Sequence, residues 1–154
     1  MSYWLMKSEP DTFSIDDLKA SPKKTTHWDG VRNFQARNFM RDGMERADLA
    51  FFYHSSCAEP GIAGIVKIVK TGYPDHTAFD KKDKHFDPQS DPAKPRWYMV
   101  DVQFQRKLKR TITLAELKKY SNGALDSLAL LKRGNRLSIT PVSAAHWDFI
   151  LQLE

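Results

Sequence analysis

Disulfide chemistry is absent from this chain: it carries one cysteine, Cys57. No internal bridge can form, and the count fits a reducing compartment. Long apolar runs are also missing. The opening stretch Tyr3-Trp4-Leu5-Met6 is too short for a signal peptide and runs into Lys7 and Glu9. Nothing approaches the roughly 20 apolar residues that span a bilayer. The expected location is therefore the cytosol, with no membrane partner. The five histidines, at 27, 54, 76, 85 and 146, form neither an H-x-H nor an H-E-x-x-H pattern, so no metal site is expected. There is no phosphate-binding G-x-x-x-x-G-K-[ST] loop and no G-x-G-x-x-G turn, and no cofactor is expected. Repeats of 20–50 residues and coiled-coil heptads are lacking as well. The reading is one domain over 1–154, a monomer by default.

What is present suffices for one core. Of 154 residues, 41% are hydrophobic and 12% aromatic, enough to bury well over half the surface without staples. Lysine plus arginine number 24 against 19 acids, a net charge of +5. That surplus favours a polyanionic partner, but an ordinary basic surface explains it equally well.

Local patterns indicate a mixture of strands and helices. Tyr3–Met6, Leu49–Tyr53, Gly61–Val69, Trp97–Phe104 and the segment around Leu137 and Ile139 read as strands, the second of them central because it is continuously apolar. Ser14 starts a capped short helix, Asn33–Met44 reads as a helix, and Thr113–Glu116 is a capping box. Leu125, Leu128 and Leu131 suggest a helix ended by Gly134, and Ser143 caps a last helix with Trp147, Ile150 and Leu151 on one face. Thr71–Pro95, with four prolines, is the long irregular stretch, and such a connection is usually either functional or mobile. Strands and helices do not alternate regularly, so the expected class is α+β, a small barrel or sheet with peripheral helices.

Three segments place polar side chains where an apolar strand or turn ends: Lys7-Ser8-Glu9-Pro10, Trp28-Asp29-Gly30-Val31-Arg32-Asn33 and Tyr53-His54-Ser55-Ser56-Cys57. Such ends are suited to line a pocket mouth. Trp4, Trp97 and Trp147 sit on apolar-periodic segments. Trp28 lies among Thr25, Thr26, His27 and Asp29, where a flat π-face suits stacking on a nucleobase, although residue type alone slightly favours core packing. Cys57 and His54 are neighbours in sequence without any nucleophile signature around them. The run Arg106–Arg110 reads as a solvated loop, and Arg32, Arg37 and Arg41 lie nearer Trp28.

These segments resemble the EVE domain. The resemblance rests on Tyr3–Pro10, on Trp28–Asn38 and on Phe51–Ser56. Pro60–Gly64, Pro95–Val102 and Leu131–Ser138 agree with it, and the match runs from Tyr3 to Leu153. Where the family pattern has Gly-Asp, this chain has Ala47-Asp48. The resemblance implies a bacterial-type single-domain member with a PUA-like fold, a small closed mixed β-barrel flanked by helices. EVE domains are similar to YTH domains, which hold a methylated adenine in an aromatic cage; the second cage tryptophan, near Ser55–Glu59, has no counterpart here.

By that similarity the expected function is a non-catalytic reader of a modified base, such as a methylated cytosine, in DNA or RNA. Ser8, Glu9, Trp28, Asp29, Tyr53, His54, Ser55 and Trp97 are then the candidates for the base, and Lys7, Arg32, Arg37 and Arg96 for phosphates. The alternative is a hydrolase of modified nucleosides, by analogy with the ASCH-type relatives, with Lys7 and Glu9 as its acid–base pair.

Overall fold

A computed structural model describes residues 1–154. Strict alternation in the first strand sends Trp4 and Met6 to one side and Leu5 to the other, and the pattern repeats at Ala50 and Phe52 against Phe51 and Tyr53. Two apolar layers result, one on each face of a six-stranded sheet. Its strands are β1 (Tyr3–Ser8), β2 (Thr25–His27), β3 (Leu49–His54), β4 (Gly61–Pro74), β5 (Tyr98–Thr113) and β6 (Ile139–Val142). Their order is β2-β5-β4-β3-β1-β6. β1 and β3 are parallel, with Lys7 opposite Tyr53 and Ser8 opposite His54. All other pairs are antiparallel.

The α+β class holds, but the sheet does not close. Closure requires each edge strand to find a second partner. The edges here are β2, with three residues, and β6, with four, and they do not pair. The long strands β4 and β5 curl instead, through four register shifts along their shared ladder.

Four α-helices flank the sheet: α1 (Ile15–Ala20), α2 (Phe34–Asn38), α3 (Leu114–Lys118) and α4 (Ala144–Gln152). Ser14 and Asp17 form a reciprocal capping box on α1. At α3 only half the expected box is made. Thr113 Oγ1 accepts from the Glu116 amide, while the Glu116 carboxylate goes to Arg110. Trp147 and Ile150 of α4 pack on the second layer, Trp147 stacking on Phe51 at 3.9 Å.

Four other expectations change. The Asn33–Met44 helix is α2 followed by a wider π-type turn, Phe39–Gly43. The Leu125–Leu131 helix is a series of turns ending in a 3-10 turn at Ala129–Leu131. Leu125, Leu128 and Leu130 are buried and Leu131 partly so, but Ser127 has φ 71°, which no right-handed helix accommodates. Arg106–Arg110 is no loop: it belongs to β5, and Arg106, Lys107 and Arg110 pair with Glu154, Asp16 and Glu116. Thr71–Pro74 extends β4, and only the remainder of the proline-rich stretch leaves the sheet.

That remainder is built from aspartates. Asp75, Asp80, Asp83, Asp87 and Asp91 each accept, through Oδ1, the amide N–H two residues on. Each side chain thereby nucleates a local turn, and the loop is an ordered chain of turns.

Candidate nucleic-acid interface

A cavity of about 810 Å³ opens on the face of the sheet that carries Trp28. Three stretches supply most of its wall: the end of β1 with the turn after it, the segment Thr26–Arg32, and the tip of the aspartate loop, Lys82–His85. Ser138 completes it. Its size lies within the usual range for small-molecule and cofactor sites.

Trp28 lines the cavity and is also core. It is 8% exposed, its amide donates to the Val100 carbonyl at 2.7 Å, and its ring meets Phe52 edge-on at 5.5 Å. Residue type slightly favours the core for Trp28 despite its polar sequence neighbours, and the structure places it there, because β2 pairs with β5 and so lays the next residue across the apolar layer. Phe13 and Val31 are the other hydrophobic residues of the wall.

Gly30 is required twice over. Its φ of +76° is left-handed, and a Cβ there would meet the His85 ring at 2.5 Å. Its amide donates to Asp75 Oδ2 at 2.8 Å. That same oxygen accepts from Arg32 Nη1 at 3.0 Å. Arg32 also donates from Nε and Nη2 to the His85 carbonyl, from Nη2 to Thr77 Oγ1 and from Nη1 to the Val31 carbonyl. All five guanidinium N–H groups are thus engaged. Arg32 lines the cavity as a clamp that ties the aspartate loop to the Trp28 segment, with no donor left for a phosphate. Asp75 is fully buried. Burial pushes its carboxyl up, but the bonds from Thr77, Gly30 and Arg32 outweigh this and hold it below the ordinary range.

Among the expected residues, Lys7, Ser8, Glu9, Trp28, Asp29 and Arg32 therefore meet around one cavity. The Ser8 hydroxyl donates to the Phe13 carbonyl at 2.6 Å. Glu9 is exposed, and its carboxylate has no protein partner. Asp29 has only His27, at 3.8 Å. Burial lowers the pKa of Lys7.

Six expected residues lie elsewhere. Tyr53 is 3% exposed in the opposite apolar layer, and burial, with a smaller contribution from Cys57, pushes its phenol up to about 12. His54 Nε2 accepts the Ile15 amide at 3.1 Å and is roofed by α1. Burial lowers its pKa, as the neutral acceptor requires. The Ser55 amide donates to the Ser8 carbonyl, which ties the two strand ends together. Trp97 is buried and donates from Nε1 to Asp87 at 2.6 Å. Arg37 is held by Asn38 Oδ1 and the Arg96 carbonyl, and Arg96 faces Gln89 and Asp87.

With this geometry in hand the comparisons with known proteins are decisive: residues 2–153 match the EVE domain. The chain belongs to the EVE domain family. Human thymocyte nuclear protein 1 is 55% identical to it, over 99% of this chain and 74% of that protein. The Danio rerio counterpart is also 55% identical, over 99% and 72%. A crystal structure of human THYN1 protein in complex with 5-methylcytosine containing DNA superimposes with a TM-score of 0.95 at 54% identity, covering 99% of this chain and 97% of that one. A Pseudomonas syringae protein does so with 0.92 at 51% identity, covering 99% of each. Similarity to vertebrate relatives is thus as high as to bacterial ones, and the match does not single out a bacterial type.

For an EVE domain of this sequence the cavity contains residues that motif reading missed. Thr12, Phe13, Thr26, His27, Lys82, Asp83, Lys84, His85 and Ser138 all line it. The loop residues carried one available signal. Aspartates spaced three to five apart with Lys82 and Lys84 between them indicate an ordered basic loop. Lys82 and Lys84 are exposed and free of ion pairs, as are Lys132, Arg133 and Arg136 on the turn leading to Ser138.

Proposed function

We propose that this chain binds DNA through a modified base, unpaired or flipped out of the duplex, which enters the Trp28 cavity and leaves it chemically unchanged. The observation that carries this is the pairing of that cavity with a 54%-identical relative, TM-score 0.95, crystallised with 5-methylcytosine containing DNA.

The chemistry of the wall supports it. A flat aromatic surface takes the face of a base. Glu9 and Asp29 are carboxylates with acceptor capacity to spare, and an amino group such as the cytosine N4–H₂ is their natural donor. A C5 methyl group needs an apolar seat, which only Phe13, Trp28 and Val31 provide. Phosphates fall to Lys7 and to the unpaired cations of the cavity wall, Lys82 with Lys84. This reading replaces Arg32, whose N–H groups are all engaged, and Arg96, which faces Gln89 and Asp87; Arg37 keeps spare donors but does not line the cavity.

Hydrolysis is the weaker reading. Lys7 and Glu9 make no side-chain hydrogen bond to each other or to a third group, and a nucleophile–base–orienter set is missing.

Equilibrium binding to a duplex carrying one 5-methylcytosine, against the same duplex with cytosine, tests the proposal. A buried methyl is worth about 0.8 kcal/mol, roughly fourfold, so at least that preference is expected. In the double variant Lys82→Ser, Lys84→Ser the slope of log K against log salt should shrink by about 2, near 0.9 per phosphate contact. Equal affinity for both duplexes, or product formed from any modified nucleoside, overturns the proposal.

A further inference from the structure

Phe34 is the one large hydrophobic side chain other than Met1 that stands mostly exposed, at 52%. Lone exposed apolar residues are common and need no function. This ring differs because it is braced. It stacks on Trp97 with centroids 4.8 Å apart and planes 19° from parallel. Trp97 is pinned in turn by its bond to Asp87. The Arg37 guanidinium lies 4.8 Å from the Phe34 centroid and is fixed by Asn38 and the Arg96 carbonyl. Three of its five N–H groups are so engaged, and two are left over. A flexible, solvated phenylalanine needs none of this support.

The brace begins at the cavity. Arg32, part of the cavity wall, holds its Cζ 5.4 Å from the Trp97 centroid. Trp97 carries Phe34, and Phe34 carries Arg37. A rigid aromatic projection, flanked by a cation with spare donors, thus stands one aromatic layer away from the candidate base site. Proteins that distort DNA use apolar side chains in this way, as wedges that enter the base stack and hold it open. A base that leaves the duplex for a cavity also leaves a gap, and keeping that gap open costs unstacking energy.

We propose that Phe34 is the wedge that fills the stack vacated by the base in the Trp28 cavity, with Arg37 holding the adjoining phosphate. This rests on the reading of the cavity as a base site. It predicts a dependence on duplex structure that the cavity alone does not. A base in a single strand needs no gap held open.

The test uses the intact chain and one 5-methylcytosine oligonucleotide in two forms, single-stranded and duplex, with 2-aminopurine beside the modified base as a stacking reporter. Phe34→Ala removes no buried group, and a melting curve checks that it is folded. Its affinity for the duplex should fall at least about fivefold, the low end for one lost aromatic–base contact, with the single strand bound as before. The 2-aminopurine brightening that wild type produces in the duplex should be lost, and Phe34→Leu should restore part of both. Equal losses for single strand and duplex, or no loss for either, overturn the wedge and leave the cavity reading standing. Failure of the wild-type protein to bind either form overturns both.

Discussion

The ends of β1 and β3 lie side by side in parallel register, carry similar polar residues, and do opposite things. Lys7, Ser8 and Glu9 open onto the cavity, whereas Tyr53, His54 and Ser55 do not reach it. Composition does not separate them; the path of the chain beyond β1 does. β1 runs into a turn in which the Glu9 carbonyl accepts from the amides of Thr12 and Phe13, two residues that also line the cavity. The end of β3 is covered by the helix that this turn introduces. The first turn of α1 donates to His54, and Tyr53 is buried in the second apolar layer, with the Lys7 ammonium 6.0 Å from its ring centroid. One strand end is thus free because it builds the roof over the other.

The tryptophans give the largest test of this division. Trp28 and Trp147 are both buried, one beneath the cavity and the other where α4 packs on Phe51. Truncating either to alanine should cost about 3–5 kcal/mol of stability, read by chemical denaturation. Only Trp28→Ala should also weaken DNA binding by the folded fraction, by about 5- to 150-fold for a lost stack. Unchanged binding in Trp28→Ala would reduce that residue to core.

The contrast also marks what the sequence can disclose. Strand periods, the α1 cap and the last helix are written in local patterns and appear as read. The aromatic and polar segments that form the cavity's first two walls are legible for the same reason. Which face a strand-end residue takes, and whether a helix lies over it, depends on contacts distant in sequence. His54 and Ile15 are 39 positions apart. Arg32 reads as a free cation until Asp75, Thr77 and the His85 carbonyl, 43 to 53 residues away, are in view. The turn before β3 is a case where local pattern succeeds. The resemblance leads one to expect glycine at position 47, and Ala47 there has a φ of 76°, the left-handed region that glycine tolerates best.

The Arg32–Asp75 clamp gives the next largest effect. It holds the loop wall against the Trp28 wall with a buried ion pair, where the β3 end is tied by neutral hydrogen bonds from Ile15 and to Ser8. Asp75→Asn leaves Arg32 without its ionic partner and should cost about 3 kcal/mol. Its pH signature is specific. The carboxyl is held below its ordinary 3.8 in the folded protein, so its contribution is whole above that value. The contribution fades as pH falls through the folded pKa. Acid denaturation profiles should therefore differ most between wild type and Asp75→Asn near neutral pH and converge in strong acid. Parallel profiles would mean that Asp75 is not the ionised anchor.

The smallest effect is the most direct comparison of the two strand ends, Glu9→Gln against His54→Ala. Glu9 is exposed and makes no side-chain bond, so its replacement should shift stability by no more than about 0.5 kcal/mol while weakening the bound base. His54→Ala removes the acceptor of the Ile15 amide and should cost about 1 kcal/mol, with DNA affinity unchanged. Burial first of all keeps the imidazole pKa below its usual 6.5, with Asp16 opposing this and Lys107 adding to it. The unfolded chain therefore binds a proton that the folded chain resists. Stability should rise with pH between the folded pKa and 6.5, be complete above 6.5, and lose that dependence in His54→Ala. A loss of affinity in His54→Ala as large as in Glu9→Gln would mean that both strand ends touch the ligand, and that α1 does not roof β3 in the complex.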